Sequence, residues 1–239
     1  MEHAGWIFRA AAGIGGIDSA DAVLDKLVAS ARKLGATHYL ITGLPMPNRP
    51  IGPLVLRMHW PELSKEDGEG NSPLQGDPIL NMCLTIDTPV NYRLNSSEAA
   101  AGMLTSDLME AVTQNGDAQL VAIPVRTIHP YQGCIVLAGQ NMRMQPEDLV
   151  ALHYLCGRAF RRMLHLNKLS QSRPGDLSAR ERRVLELTAI GKTANEIGQL
   201  LKISQRTVHA HLQNASEKLN ASNKTNTVIE AVRYAQISI

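Results

Sequence analysis

The chain has 239 residues, 44% of them hydrophobic and 19% charged, so it is long enough for two domains and too apolar for a disordered protein. Its formal net charge of +2 divides into +4 over residues 177–239 and −2 over the remainder, a pattern typical of a small polyanion-binding module. No apolar run approaches the ~20 residues of a membrane span, and the N-terminus has no signal-peptide pattern, so we expect a cytoplasmic protein without membrane contact.

Helical and strand patterns alternate over the first 168 residues. Apolar side chains spaced three to four residues apart predict helices, and apolar runs bounded by turn residues predict strands. We expect, in chain order, a helix at Asp18–Leu34, strands at Thr37–Gly43 and Gly52–Met58, a polar loop at Pro61–Pro78, a helix at Glu98–Asn115, strands at Gln119–Arg126 and Gly133–Gly139, and a helix at Pro146–Lys168. This order predicts an antiparallel sheet with helices on its faces, an α/β/α sandwich.

A polar segment, Lys168–Asp176, separates this region from a purely helical end of the chain. The segment contains a Pro-Gly turn signal and lies between two strongly periodic stretches. We therefore expect an α+β protein. It has an N-terminal sensor or dimerisation domain at residues 1–168, a linker at residues 169–176 and an all-α domain of four helices at residues 177–239.

The C-terminal region carries the start and stop signals of four short helices. Ser178–Glu181 and Thr193–Glu196 are capping boxes, in which a hydroxyl residue precedes a glutamate by three positions. Gly191 ends the first helix, a tight turn at Lys202–Ser204 joins the second to the third, and a fourth covers about Thr225–Gln236. Two short helices joined by such a turn form a helix-turn-helix, whose second helix is free to enter a DNA major groove.

The third predicted helix presents side chains that suit base recognition. Glutamine can bridge N6 and N7 of adenine, alanine can contact the thymine methyl group, and histidine can donate to a guanine acceptor. The exposed face comprises Gln205, Arg206, His209, Ala210 and Gln213. Groups at helix starts can hold phosphates, and these are Lys192, Thr193, Ser204 and Thr207. The alternative is a solvated surface helix of a plain helical bundle.

The C-terminal segment resembles the LuxR-type helix-turn-helix over its whole length. The matching positions are Leu177, Arg180, Glu181, Val184, Leu185, Gly191, Lys192, Thr193, Glu196, Ile197, Leu201, Ser204, Thr207, Val208, His211, Lys218 and Leu219. The resemblance implies scaffold roles for Glu181 and Leu185 and base contacts for His209, Ala210 and Gln213. It also implies that the fourth helix pairs two DNA-binding domains on an inverted repeat of double-stranded DNA, with RNA polymerase as a further candidate partner.

The N-terminal region is similar, in length and order of elements, to the autoinducer-binding domain of quorum-sensing LuxR regulators. The similarity depends on the segments Trp60-Pro61, Asp77-Pro78-Ile79 and Ile123-Pro124-Val125. It implies that the Asp77 carboxylate accepts a hydrogen bond from the amide of an acyl-homoserine lactone. The candidate ligand residues are Tyr39, Trp60, Asp77 and Tyr92. The structural alternatives are that Asp77 caps a helix and that the Tyr39 and Trp60 rings belong to the core.

Three positions depart from this second resemblance. Ser64 and Gly68 stand where the family has a tryptophan and a tyrosine, and Ala138 stands where a hydroxyl residue is expected. A site built to pair a polar ligand discriminates through those groups, so their loss argues against lactone binding. We therefore favour an orphan, or solo, regulator that needs no lactone. The alternatives are a receptor for an acyl-homoserine lactone or another small-molecule signal, and a regulator that forms a heterodimer with a related protein instead of a homodimer.

Motifs of enzymatic or metal-dependent function are absent from the sequence. It contains no P-loop, GxSxG or HExxH pattern, and its histidines have no metal-ligand spacing. Cys83, Cys134 and Cys156 are far apart and form no CxxC pair, which indicates buried, reduced thiols. We therefore expect a dimeric DNA-binding transcription regulator that is not an enzyme and uses no cofactor. A further alternative is a helix-turn-helix protein that sequesters a partner regulator.

Overall fold

The computed structural model describes residues 4–44, 51–63, 74–100, 102, 106–126, 132–166, 177–234 and 236–237, which belong to two compact units. Among these residues, the N-terminal unit extends to Leu166 and the C-terminal unit begins at Leu177. The predicted linker at residues 169–176 and the positions Ser64 and Gly68 lie outside the described residues. Within the described ranges, every helix is too short or too polar to span a lipid bilayer.

The N-terminal unit combines helices with one sheet. Its helices are α1 (Gly5–Gly13), α2 (Ala20–Lys33), α3 (Pro78–Cys83), α4 (Ser96–Ala100), α5 (Asp107–Thr113) and α6 (Pro146–His165). Its strands are β1 (His38–Gly43), β2 (Val55–His59), β3 (Val90–Leu94), β4 (Ala118–Arg126) and β5 (Gln132–Gly139). Short 3₁₀ turns precede α2 and β2, and a third directly follows Trp60.

The sheet has the strand order β2-β1-β5-β4-β3, and all neighbouring strands are antiparallel. The central strand β5 is buried along its whole length, because both faces of the sheet are covered. On one face, α2 and α6 pack over Ile135 and Leu137, and the Phe160 ring lies against Gly133. On the other face, α3 and α5 pack against β4. This arrangement confirms the expected α+β class with an α/β/α sandwich.

Several predicted elements differ from the observed ones. The single helix expected at Glu98–Asn115 is two helices, because Gly102 between α4 and α5 adopts a positive φ of 67°, which ends a helix. The strand expected to begin at Gly52 begins at Val55, after a 3₁₀ turn, and the last helix of this unit ends at His165 instead of Lys168. Helix α1 and strand β3 were not predicted from the sequence, and α3 was anticipated only through the alternative that Asp77 caps a helix.

The missed elements are short or weakly patterned. Helix α3 has six residues and begins at Pro78, which is too short to show helical periodicity. Strand β3 lies at the edge of the sheet, and its inward-facing residues before Leu94 are only partly buried. Polar residues alternate with them, so the strand has no continuous apolar run. Pairing with β4, with Tyr92 opposite Leu120, is what makes it a strand.

The C-terminal unit contains four helices: α7 (Ala179–Ala189), α8 (Ala194–Leu201), α9 (Gln205–Lys218) and α10 (Lys224–Arg233). Both predicted capping boxes are present, at Ser178–Glu181 and Thr193–Glu196. A small core forms from Val184, Leu187, Ile197 and Val208, with Ala194, Leu201, Ile203 and Leu212 packed around it. Because this core holds one side of α9, the opposite side of that helix faces solvent.

Candidate nucleic-acid interface and candidate ligand face

One face of α9 is free of contacts with its own domain. Val208 and Ala215 are the buried residues of this helix. The side chains expected on its outer face are all exposed, and they are Gln205, Arg206, His209, Ala210 and Gln213. Their side of the helix is therefore sterically able to enter a groove, and their individual base contacts stay a prediction.

Capping hydroxyls mark the starts of α8 and α9. The Ser204 Oγ accepts a hydrogen bond from the Thr207 backbone N–H at 3.0 Å and lies 2.8 Å from the Thr207 Oγ1. The Thr193 Oγ1 accepts from the Glu196 N–H at 3.3 Å. The first backbone N–H groups of a helix have no acceptor within the helix, and in α8 and α9 one of them is capped in this way. The other N–H groups of each first turn are therefore the ones available to phosphate.

Glu196 already interacts with two of the predicted phosphate ligands. Its Oε2 accepts hydrogen bonds of 2.8 Å from both the backbone N–H and the Oγ1 of Thr193, and its Oε1 lies 3.6 Å from the Lys192 Nζ. These donors hold the pKa of Glu196 below its ordinary value. A phosphate at this position would therefore compete with Glu196 for Thr193 and Lys192. The sequence analysis used Glu196 only as a helix-capping residue.

Two further side chains at this surface were missed by the sequence analysis. Glu217 is exposed one helical turn after Gln213, and its Oε1 accepts a 3.1 Å hydrogen bond from the Gln213 Nε2. Lys202 is exposed in the turn between α8 and α9, with a left-handed φ of 55°. Glu217 could have been identified from its position four residues after Gln213 on the same helix. No sequence pattern predicts that the Lys202 side chain is exposed at this surface.

The position of α9 depends on a charged group inside the domain. The buried Glu181 Oε2 accepts from the Ser178 N–H at 2.7 Å and from the Lys218 Nζ at 2.8 Å. Burial raises the pKa of Glu181, but hydrogen bonds from Lys218 and Ser178 together with the Lys218 charge outweigh burial and leave the pKa lowered. Glu181 therefore connects the start of α7 to the last turn of α9, which agrees with the scaffold role that the resemblance implies.

The four candidate ligand residues do not lie on one face of the sheet. Tyr39 pairs with Leu137 on the face covered by α2 and α6, where it lies under the Arg32 guanidinium. The grouping of Tyr39 with the other candidates is therefore wrong. Strand register decides this, because neighbouring residues of a strand point to opposite faces.

Trp60, Asp77 and Tyr92 are associated with the opposite face. The Trp60 ring is buried and lies 5.4 Å from the His38 ring, and His38 is paired with Ala138. The Tyr92 hydroxyl donates to the Met82 sulfur of α3 at 3.1 Å. This face, which carries α3, is the candidate ligand face. Ala138 supplies no hydroxyl there.

Asp77 acts as the N-cap of α3. Its Oδ1 accepts from the Ile79 N–H at 2.8 Å, and its Oδ2 accepts from the Ser106 hydroxyl, at the start of α5, at 2.7 Å. Burial raises the pKa of the Asp77 carboxyl, opposed by hydrogen bonds from Ser106 and from the backbones of Ile79, Leu80 and Leu108. The capping alternative is therefore the observed one, and the carboxylate connects the starts of α3 and α5.

Known proteins resemble this chain at both ends. The family described as bacterial regulatory proteins, luxR family, matches residues 176–231. The transcriptional activator protein SolR of Ralstonia solanacearum is 31% identical over 214 residues, which are 87% of this chain and 88% of SolR. The transcriptional activator protein BjaR1 of Bradyrhizobium diazoefficiens is 28% identical over 221 residues, 90% of this chain and 89% of BjaR1.

A further relative and a solved structure agree with these matches. The HTH-type quorum sensing-dependent transcriptional regulator RpaR of Rhodopseudomonas palustris is 28% identical over 229 residues, 92% of this chain and 90% of RpaR. SdiA in complex with octanoyl-rac-glycerol shares the fold, with a TM-score of 0.60, 23% identity and coverage of 98% of this chain and 96% of SdiA. The similarity to SolR over most of both chains, together with the match at residues 176–231, shows that this protein belongs to the LuxR family of bacterial transcriptional regulators, which are not enzymes.

Proposed function

We propose that this protein regulates transcription as a dimer that reads an inverted-repeat operator with α9 and needs no acyl-homoserine lactone to do so. The observation that carries the first part is the exposed polar face of α9 on a compact helical core. We assign base contacts to His209, Ala210 and Gln213. Phosphate contacts are assigned to Lys192, Thr193, Ser204 and Thr207, and Gln205 and Arg206 flank the groove.

Exposed apolar side chains support pairing of the DNA-binding domains. Ile229 and Val232 of α10 are 56% and 42% exposed, although they lie on a helix that is packed against α7 and α9 on its other side. Large exposed apolar residues that share one helix face mark interaction surfaces. We assign this α10 face to the second DNA-binding domain of the dimer.

The N-terminal unit offers a second surface for pairing. Val150 and Tyr154 of α6 are exposed, and the Tyr154 ring lies 5.9 Å from the exposed Phe8 ring of α1. Glu147 and Arg161 lie seven residues before and after Tyr154, and both are exposed. An antiparallel crossing of two α6 helices about Tyr154 would place each Glu147 beside Arg161 of the second copy, as a two-fold axis requires.

Independence from lactones is supported by the contacts of Asp77. In the family resemblance this carboxylate serves the ligand amide, but here Ser106 and the N-terminus of α3 donate to both of its oxygens. These internal bonds give the buried carboxylate a structural role without a ligand, and Ala138 supplies no hydroxyl on the same face of the sheet. The alternative is a small-molecule receptor. Two similar proteins support it: RpaR is described as quorum sensing-dependent, and SdiA is described in complex with octanoyl-rac-glycerol.

Fluorescence anisotropy with an operator duplex tests the reading face. Affinity should fall steeply with salt, because phosphate contacts release counterions. His209→Ala and Gln213→Ala should each weaken specific binding by about 1–3 kcal/mol and relax sequence preference. Lys192→Ala should reduce the salt slope because it removes an assigned phosphate contact, whereas Arg183→Ala, in a similarly exposed pair with Glu186 on α7, is the matched control and should not. Unchanged specificity in both α9 variants would refute the assignment.

Light scattering tests the dimer. Arg161→Glu should lower the dimer fraction, and adding Glu147→Arg should restore it, because the exchanged charges pair again. A protein that elutes as a monomer and dimerises only with a related regulator would instead support the heterodimer alternative.

Thermal unfolding with added ligands tests the signal. A ligand at one hundred times its Kd stabilises the folded protein by about 2.7 kcal/mol. We expect no such shift with short- or long-chain acyl-homoserine lactones. A shift with a lactone would overturn lactone independence, and a shift with 1-octanoyl-rac-glycerol alone would indicate a different acyl signal.

A further inference from the structure

Two of the three cysteines meet inside the N-terminal unit. The Cys83 Sγ, at the end of α3, lies 2.8 Å from the Cys134 Sγ of β5, and neither side chain is exposed. A disulfide has an S–S distance of 2.03–2.05 Å, so a movement of about 0.8 Å would bring the two sulfurs to bonding distance. The cysteines are 51 positions apart in the chain, so the fold alone creates this pair.

The pair is held together by contacts at both ends of α3. Asp77 and Ser106 fix its start, and the Arg126 Nη2 donates to the Leu84 and Ile86 carbonyls, just after Cys83, at 2.9 and 2.7 Å. The Arg126 guanidinium also interacts electrostatically with both thiols.

We propose that Cys83 and Cys134 form an oxidation site, at which hydrogen peroxide converts the two thiols into a disulfide that fastens α3 to β5. One thiolate attacks a peroxide oxygen and breaks the O–O bond, which yields a sulfenic acid and, after protonation, water. The second thiol then displaces the sulfenic hydroxyl as water and forms the S–S bond. Overall, two thiols lose two electrons and two protons, and one peroxide becomes two waters.

The environment assigns the order of these steps. Burial and the adjacent Cys83 thiol raise the pKa of Cys134 well above its ordinary value, which disfavours its thiolate. We therefore assign Cys134 the resolving role, which leaves the attack on peroxide to Cys83. The bond would fix α3, and with it Asp77 and Met82, against the central strand. Oxidation would therefore restrict the movement of the candidate ligand face.

Cys156 provides a control within the same chain. It is also fully buried, but it lies on the other face of the sheet, among Leu152, Tyr39 and Ile135. Burial raises its pKa well above the ordinary value. Because Cys156 lies on the opposite face of the sheet from the other two cysteines, it cannot join their disulfide and should keep its thiol while they react.

The experiment treats the reduced full-length protein with hydrogen peroxide, blocks remaining thiols with an alkylating agent in denaturant, and measures intact and peptide masses. The wild type and Cys156→Ala should each lose two hydrogen atoms and yield one linked peptide pair containing Cys83 and Cys134. Dithiothreitol should restore both thiols and remove any gain in melting temperature. Cys83→Ala and Cys134→Ala should form no intramolecular disulfide.

Peptide mapping of the wild type decides the question even if a variant fails to fold. A disulfide involving Cys156, addition of oxygen to single cysteines without a disulfide, or no reaction at peroxide concentrations that oxidise the urea-unfolded chain would each overturn the proposal.

Discussion

Gly198 is the residue on which the turn between α8 and α9 depends. A Cβ at this position would lie 2.8 Å from the Ile203 carbonyl oxygen, a backbone atom that cannot rotate away. The same turn is closed by the hydrogen bond from the Ile203 N–H to the Gly198 carbonyl, at 3.0 Å. Relief of the clash in Gly198→Ala therefore requires the turn to move by about 0.6 Å, which tilts α9 relative to α8.

The cost of Gly198→Ala follows from two opposing effects. Alanine favours a helix over glycine by about 1 kcal/mol. Overpacking against fixed backbone costs about 1–3 kcal/mol. We expect a net loss of up to about 2 kcal/mol in the local stability of α8 and α9. Gly157→Ala in the middle of α6 is the matched control, because no atom lies within 4 Å of its added Cβ. That change should stabilise the N-terminal unit by about 0.5–1 kcal/mol.

Hydrogen–deuterium exchange of the full-length protein measures both effects separately. A loss of 1.4 kcal/mol speeds exchange through local opening about tenfold. Peptides from residues 194–219 should exchange faster in Gly198→Ala, and anisotropy should show weaker operator binding. Gly157→Ala should leave the exchange of those peptides unchanged. If Gly198→Ala retained wild-type protection and affinity, the argument that Ile203 requires a glycine at position 198 would be refuted.

Two further predictions concern buried carboxylates, measured by urea unfolding at several pH values. Glu181→Ala should destabilise the C-terminal unit by about 2–3 kcal/mol at pH 7, since it removes both the ion pair with Lys218 and the hydrogen bond from the Ser178 N–H. Because the folded pKa of Glu181 is lowered, its contribution to the free energy of unfolding is present above the unfolded pKa of about 4.3 and disappears as pH falls through the folded pKa. A stability difference between the wild type and Glu181→Ala that did not change with pH would contradict this. Asp77→Asn should match or exceed wild-type stability at pH 7, whereas Asp77→Ala should lose the cap and the Ser106 bond. The folded pKa of Asp77 is raised, so its contribution to the free energy of unfolding is present below the unfolded pKa of about 3.9 and is lost as pH rises through the folded pKa. Asp77→Asn should remove this pH dependence of stability.

Local interactions explain which parts of the fold the sequence predicted. The capping boxes at Ser178 and Thr193 join residues three apart, so their sequence pattern already contains the contact. The exposed face of α9 follows from helical periodicity once Val208 is recognised as a core residue. Helix α3 has a local signal only at its start, where Asp77 caps it, and strand β3 has none. The stability of both comes mainly from the elements they pack against or pair with.

Tertiary structure decided the contacts between residues distant in the chain. Period-two alternation puts Tyr39 and Leu40 on opposite faces, but only the pairing of β1 with β5 shows that Tyr39 faces α2 and α6. The bond between Asp77 and Ser106 spans 29 positions, and that between Cys83 and Cys134 spans 51. The sequence by itself determined a LuxR-type helix-turn-helix, because its helices are specified by local caps and spacing. The functional chemistry of the N-terminal unit was decided by the fold, because strand register and helix docking bring its groups together.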